Sequence, residues 1–158
     1  MKKIIILTAI LFFVLMIVSC GGDDAENFPN EHDGLSWSDA SSNYMDWDEA
    51  ITYCENLGGR LPTISELRTL IQNCPATETG GECGVTDSCL SFDDCRNNPC
   101  KGCEYDYSGK YSVFGMPESL WSSSVWSDDP GIAWLVTFEN GHVTYDAKYN
   151  KPNVRCVR

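Results

Sequence analysis

Four cysteines fall within residues 89–103, CLSFDDCRNNPCKGC, and the last two form a C-x-x-C unit. Thiols at such spacing hold a metal, exchange disulfides or are cross-linked, and each reading needs different companions. A zinc site wants four Cys or His ligands at set spacing. Only Cys100 and Cys103 are so spaced, and both histidines, His32 and His142, stand far off in sequence. A c-type haem needs a histidine directly after the second cysteine, where Glu104 stands. A redox C-x-x-C opens a helix whose dipole lowers the thiol pKa, whereas NNPCKGCEYDYSG is flanked by turn formers. Cross-linking is the reading left, and it requires an oxidising compartment.

The N-terminus supplies that compartment. Two lysines precede an apolar run from Ile4 to Val18, interrupted only by Thr8. The run is shorter than the roughly 20 residues that span a bilayer, so it reads as the core of a secretory signal over residues 1–19. Its end, IVSC, resembles the lipobox of bacterial lipoproteins. That resemblance implies that Cys20 becomes the lipidated, palmitate-bearing first residue of the mature chain. Gly21 stands where an aspartate would signal inner-membrane retention, so the expected location is the cell envelope, at the outer membrane. Residues 20–34 are acidic, with a single aromatic, and read as a flexible tether; the folded domain is expected over residues 35–158.

Cysteine parity agrees. Of nine cysteines, lipidation of Cys20 leaves eight, an even number suited to four bridges. Eight cysteines allow 105 pairings, so connectivity stays open. Residues 74–111 lack helical or strand periodicity and are rich in Gly, Asn, Asp and Ser, a long insert that needs staples to hold a shape. If Cys74, Cys83, Cys89, Cys95, Cys100 and Cys103 pair among themselves within it, Cys54 and Cys156 remain for each other.

The elements that would position these groups have readable ends. A helix is expected from Trp47 to Leu57, capped by Asp46, with Ala50, Ile51, Cys54 and Leu57 on one face and Gly58 and Gly59 after it. A second helix begins after Thr63, which with Glu66 makes a capping box, and buries Ile64, Leu67, Leu70 and Ile71. Strands are expected at Leu35–Trp37, at 120–126, and on both sides of Asn140-Gly141, a type I′ hairpin signal, with a last strand at the C-terminus. In that last strand Val154 and Cys156 alternate with Arg155 and Val157. Helices first and antiparallel strands after make an α+β fold.

The linked motifs W-x-x-A-x-x-Y-C (Trp47, Ala50, Tyr53, Cys54), RLPT-x-x-EL (Arg60 to Thr63, Glu66, Leu67), WSS and VRCVR resemble the Lcl C-terminal domain family. The resemblance implies a C-type-lectin-like architecture: two helices, a short twisted antiparallel sheet and, here, a disulfide-rich loop insertion. It also implies that a helix cysteine pairs with one near the C-terminus, the Cys54 and Cys156 pair. Some relatives bind polyanionic polysaccharides. The expected mature chain, with nine lysines and arginines against 23 acidic residues, carries a formal charge of −14. Such a field repels nucleic acid and other polyanions.

The expected function is a non-catalytic, lipid-anchored adhesion module for a glycan or other extracellular ligand. The alternatives are a structural protein that binds another surface protein, and an enzyme of the related formylglycine-generating fold. The candidate ligand face joins the long loop to the strand ends, at Trp121, Trp126, Asp128, Asp129, Glu139 and Asn140. For Trp121 the competing reading is core, and for Asp128 and Asp129 it is a turn. The paired triplets that hold calcium in sugar-binding lectins are missing, with only DDP and FEN as partial echoes. Asp128 and Asp129 are therefore the sole metal candidates, and no metal or cofactor is expected.

Overall fold

The computed structural model describes residues 24–158, so the signal segment and Cys20 lie outside the described residues. The elements run α1 (Asp24–Asn27), β1 (Asn30–His32), β2 (Leu35–Trp37), α2 (Trp47–Asn56), α3 (Ile64–Thr69), α4 (Phe92–Cys95), a 3-10 turn (Asn98–Lys101), β3 (Ser119–Val125), β4 (Ile132–Thr137) and β5 (His142–Ala147). β1 and β2 form an antiparallel ladder, and β3, β4 and β5 form an antiparallel meander. This is an α+β, disulfide-rich fold. Among the described residues no helix is long and apolar enough to cross a membrane.

Both predicted helices form where their caps stand. Asp46 accepts from Glu49 N–H at the start of α2, and Thr63 accepts from Glu66 N–H at the start of α3, each as a complete capping box. Gly58, in the left-handed region at φ +81°, follows the first of them.

The apolar run IAWLV explains the sheet. Ala133 to Val136 are buried on both faces of β4, as expected of a central strand. Trp134 and Val136 pack with Leu120, Val143 and the α3 residues Ile64 and Leu67. Ala133 and Leu135 face the other way, with Trp121, Ala50, Cys54 and Leu61. The sheet is thus the middle layer, with α3 and the insert on one side and α2 on the other.

Three sequence expectations are corrected. The type I′ turn lies at Asp33-Gly34, both at positive φ, where His32 pairs with Leu35. At Asn140-Gly141 only the glycine has positive φ, and Thr137 pairs with His142 across a four-residue loop. That loop tucks Phe138 into the core. A Cβ on Gly141 would approach Cys74 and Ile71 to 3.2 Å, so the glycine also permits close packing of the insert.

The second correction is the tether boundary. Residues 28–34 belong to the folded body: Phe28 is 3% exposed and β1 ladders with β2. The third concerns the C-terminus, which makes isolated bridges from Val157 to Trp37 and Arg60 rather than a strand. All of Val154 to Val157 are buried, Arg155 included, so the expected alternation is absent. The Arg155 guanidinium stacks 4.5 Å from the Phe114 ring and donates to the Ser38 carbonyl.

The insert is stapled by three disulfides and also packs into the main core. Cys74 pairs with Cys103, Cys83 with Cys100 and Cys89 with Cys95, while Cys54 pairs with Cys156. Cys74, Cys83, Val85, Cys100 and Tyr111 belong to the main core. Arg68, on α3 and 3% exposed, holds the insert from inside. It donates to the carbonyls of Thr77 at 2.9 Å, Val85 at 2.6 Å and Glu78 at 2.8 Å. Burial lowers its pKa.

Candidate functional site

The six predicted ligand residues do not form one site. Asp129 precedes β4 and Glu139 follows it, and six strand residues at about 3.4 Å each put roughly 20 Å between the two groups. Trp121 is fully buried, its indole N–H donating to the Met45 carbonyl at 3.1 Å, so it is core. Asn140 is 3% exposed and its amide donates to the Lys101 carbonyl at 3.1 Å, so it ties the hairpin to the insert. These two cannot touch a ligand.

At the first end, Trp126 is half-buried in a cluster with Phe92 and Tyr145, ring centroids 5.2 to 5.4 Å apart. Arg96 stacks over Phe92 and Tyr145. Asp128 accepts from the Trp126 indole at 2.8 Å and the Phe92 N–H at 3.3 Å. Burial pushes its carboxyl up, but the hydrogen bonds from Ser91, Trp126 and Phe92 outweigh this and hold it below the usual range. Asp129 caps its own turn through Gly131 N–H at 2.8 Å. The oxygens at this end fasten a turn and the insert, and among the described residues no group of three or more His, Cys, Asp or Glu side chains is placed to hold a metal.

At the other end Glu139 borders a groove of about 480 Å³. Its floor is a strip of the sheet that α2 leaves uncovered: Ser119 on β3, Leu135 and Thr137 on β4, Thr144 and Asp146 on β5. One wall is Asn150 to Asn153, fixed by Asn153 N–H to Ser119 O at 3.0 Å and the Asn153 amide to Ser41 O at 3.1 Å. Tyr44, Tyr145, Glu118 and Glu139 complete the lining. The volume lies in the range of small-molecule sites.

One strongly exposed tyrosine lines this groove, and three others lie in segments that adjoin it. Tyr44, Tyr105, Tyr107 and Tyr149 are the large apolar side chains most exposed among the described residues, each by 66% or more. Tyr44 lines the groove and Tyr149 precedes its wall residue Asn150. Tyr105 and Tyr107 flank Asp106, whose N–H donates to the Glu139 carbonyl at 2.6 Å. The insert therefore delivers two aromatics to the Glu139 end.

The groove is rich in acceptors and poor in free cations. Glu118 Oε2 is buried without a hydrogen-bond partner. Lys151 is engaged with Glu49 at 3.1 Å, and Lys148 lies 3.7 Å from the centre of the Trp47 ring. Aromatic edges beside carboxylate and amide acceptors suit a ligand with apolar ring faces and many hydroxyl donors.

Sequence reasoning reached only Glu139 of this lining. Glu118, Asp146, Asn150 and Asn153 come from three separate segments, and no local motif connects them. The exposed tyrosines did carry a signal, since Tyr105, Tyr107 and Tyr149 stand in polar stretches with no apolar periodicity to bury them.

The hydroxyls and imidazoles that hydrolytic chemistry would use have other engagements. Ser122 donates to the Trp134 carbonyl at 2.7 Å, Ser123 to the Pro62 carbonyl, and Ser124 accepts from Ile64 N–H at 2.9 Å. His32 meets the Thr69 carbonyl at 2.8 Å, and His142 lies 3.4 Å from Arg96.

No curated protein and no solved structure matches the chain. Residues 28–158, from the buried Phe28 to the C-terminus, match the family model of the Lcl C-terminal domain, and the chain belongs to that family.

Proposed function

We propose that this protein is a non-catalytic adhesion module of the cell envelope, hung from the outer membrane by lipid on Cys20, that binds a glycan in the groove between β4, β5 and the Asn150–Asn153 wall. The observation that carries the reading is the groove itself: a shaped, acceptor-lined concavity with the exposed ring of Tyr44 in its lining. Tyrosine rings give stacking area at low entropic cost, and carboxylates accept hydroxyl hydrogen bonds. Phe28 is buried in the body, so a lipid on Cys20 would leave only a short lead between the anchor and the fold. The C-type-lectin-like architecture implied by the family resemblance fits the tie between α2 and the C-terminus through Cys54 and Cys156.

A glycan array probed with the mature protein tests the reading. Wild type should bind at least one saccharide class, and Tyr44→Ala should lose that signal while keeping its melting temperature. Silence on every glycan, together with capture of an envelope protein by cross-linking, would favour the structural alternative.

A further inference from the structure

The groove's charge balance points to a narrower ligand class than glycans in general. We propose that its ligand is an amine-bearing sugar chain, a polymer of hexosamine units with free amino groups, rather than a neutral or acidic polysaccharide. This rests on the reading of the groove as a glycan site and deepens it.

The argument begins with Glu118. Its backbone carbonyl is fixed by Phe138 N–H at 3.2 Å, and its side chain lines the groove. One carboxylate oxygen is sealed from water with no donor reaching it. A buried acceptor left unmade is costly, more so on a charged group. The opposing charge nearest in effect, Arg155, directs its own hydrogen bonds to the Ser38 carbonyl and the Met116 sulfur, so it compensates Glu118 only through space. An ammonium group bound at the other, accessible oxygen of the same carboxylate would neutralise its charge directly.

The remaining lining agrees. Among the described residues no hydrogen bond or ion pair engages the Glu139 side chain, and Asp146 already accepts from Ala147 N–H at 2.8 Å and from the Asn150 amide. The lysine on the wall, Lys151, is held by Glu49. Two uncommitted carboxylates therefore face the groove, in a chain of formal charge −12. Acidic polysaccharides are repelled from such a site, neutral ones donate hydroxyl hydrogen bonds to the carboxylates, and amines add direct ion pairing to those hydrogen bonds. A lysine-rich peptide offers the same ammonium but not the rigid ring faces that the exposed tyrosines suit.

The test compares glucosamine oligomers with N-acetylated oligomers of the same length by calorimetry, on the full mature protein in mildly acidic buffer. The free-amine series should bind more tightly by roughly tenfold or more. Glu118→Gln should abolish that preference, and Glu139→Gln, an isosteric change at a half-buried position, should reduce it. Tyr44→Ala should weaken both series alike. Equal or tighter binding of the acetylated series would overturn the amine assignment and leave the glycan reading standing. Hexalysine that competes as well as the amino sugar would overturn the saccharide class. Absence of binding by either series, with no other saccharide competing, would remove the glycan reading as well.

Discussion

Cys54 on α2 and Cys156, the third residue from the C-terminus, are joined by a disulfide that spans 102 positions, with their Cα atoms 5.3 Å apart. Both are fully buried beside Trp121 and Ala133, so the bridge lies within the core layer between α2 and the sheet. A loop of this length constrains the unfolded chain by around 4.7 kcal/mol in the chain-entropy model. Replacing both cysteines by serine should lower unfolding free energy by about 4 kcal/mol, measured by guanidinium titration. A loss well under 1 kcal/mol would show that packing alone holds the C-terminus.

Arg68 should prove the internal anchor of the insert. Its guanidinium serves three carbonyls, at Thr77, Glu78 and Val85, with no carboxylate partner. Arg68→Met keeps the stem volume but leaves the buried carbonyls of Thr77 and Val85 unmet, while Glu78 O still accepts from Gly81 N–H, at a cost of about 3 kcal/mol. Hydrogen exchange should accelerate across residues 74–90 more than in β4. Equal acceleration in both would assign Arg68 to the global core instead.

How much of this was legible in the sequence divides along physical lines. Caps are local, so Asp46 and Thr63 announced both helices, and parity announced the disulfides. Asp33-Gly34 was equally local and was missed because the acidic composition around it read as a tether, while one buried ring, Phe28, anchors the segment. Asn140-Gly141 misled because tertiary burial of Phe138 overrides the two-residue turn. Arg155 misled similarly: stacking on Phe114 allows a cation to be buried where alternation put it outside. The groove was the least legible part, since its lining converges from segments far apart in the chain.

Trp126 should act as packing and not as a ligand platform. Its ring contacts Phe92 and Tyr145, and its indole holds Asp128. Trp126→Ala should cost about 2 kcal/mol of stability and leave glycan affinity unchanged. Loss of binding with stability intact would return the site to this end of β4.

Stability should fall in acid in two stages. Burial lowers the His142 pKa, aided by Arg96 and Lys101. At Glu66 burial raises the carboxyl pKa, but the Arg60 hydrogen bond and the Thr63 N–H outweigh it, and the net value lies below the ordinary 4.5. Both groups hold fewer protons folded than unfolded, so each contributes stability above its ordinary value and loses it as pH falls through its folded value. The first loss begins near 6.5 and belongs to His142; the second begins near 4.5, where Glu66 shares it with the other lowered carboxylates, Glu49, Asp106 and Asp128. Denaturant midpoints across pH should show His142→Gln flattening the upper stage and Glu66→Gln reducing the lower. Unchanged profiles in both variants would contradict these assignments.

The location of the ligand is the central claim, and backbone amide NMR during titration with a bound oligosaccharide tests it most directly. Shifts should concentrate at Thr137, Glu139, Thr144, Asp146 and Asn150, with Phe92 and Asp128 still. Shifts gathered at Phe92, Trp126 and Asp128, with the groove unmoved, would contradict the account.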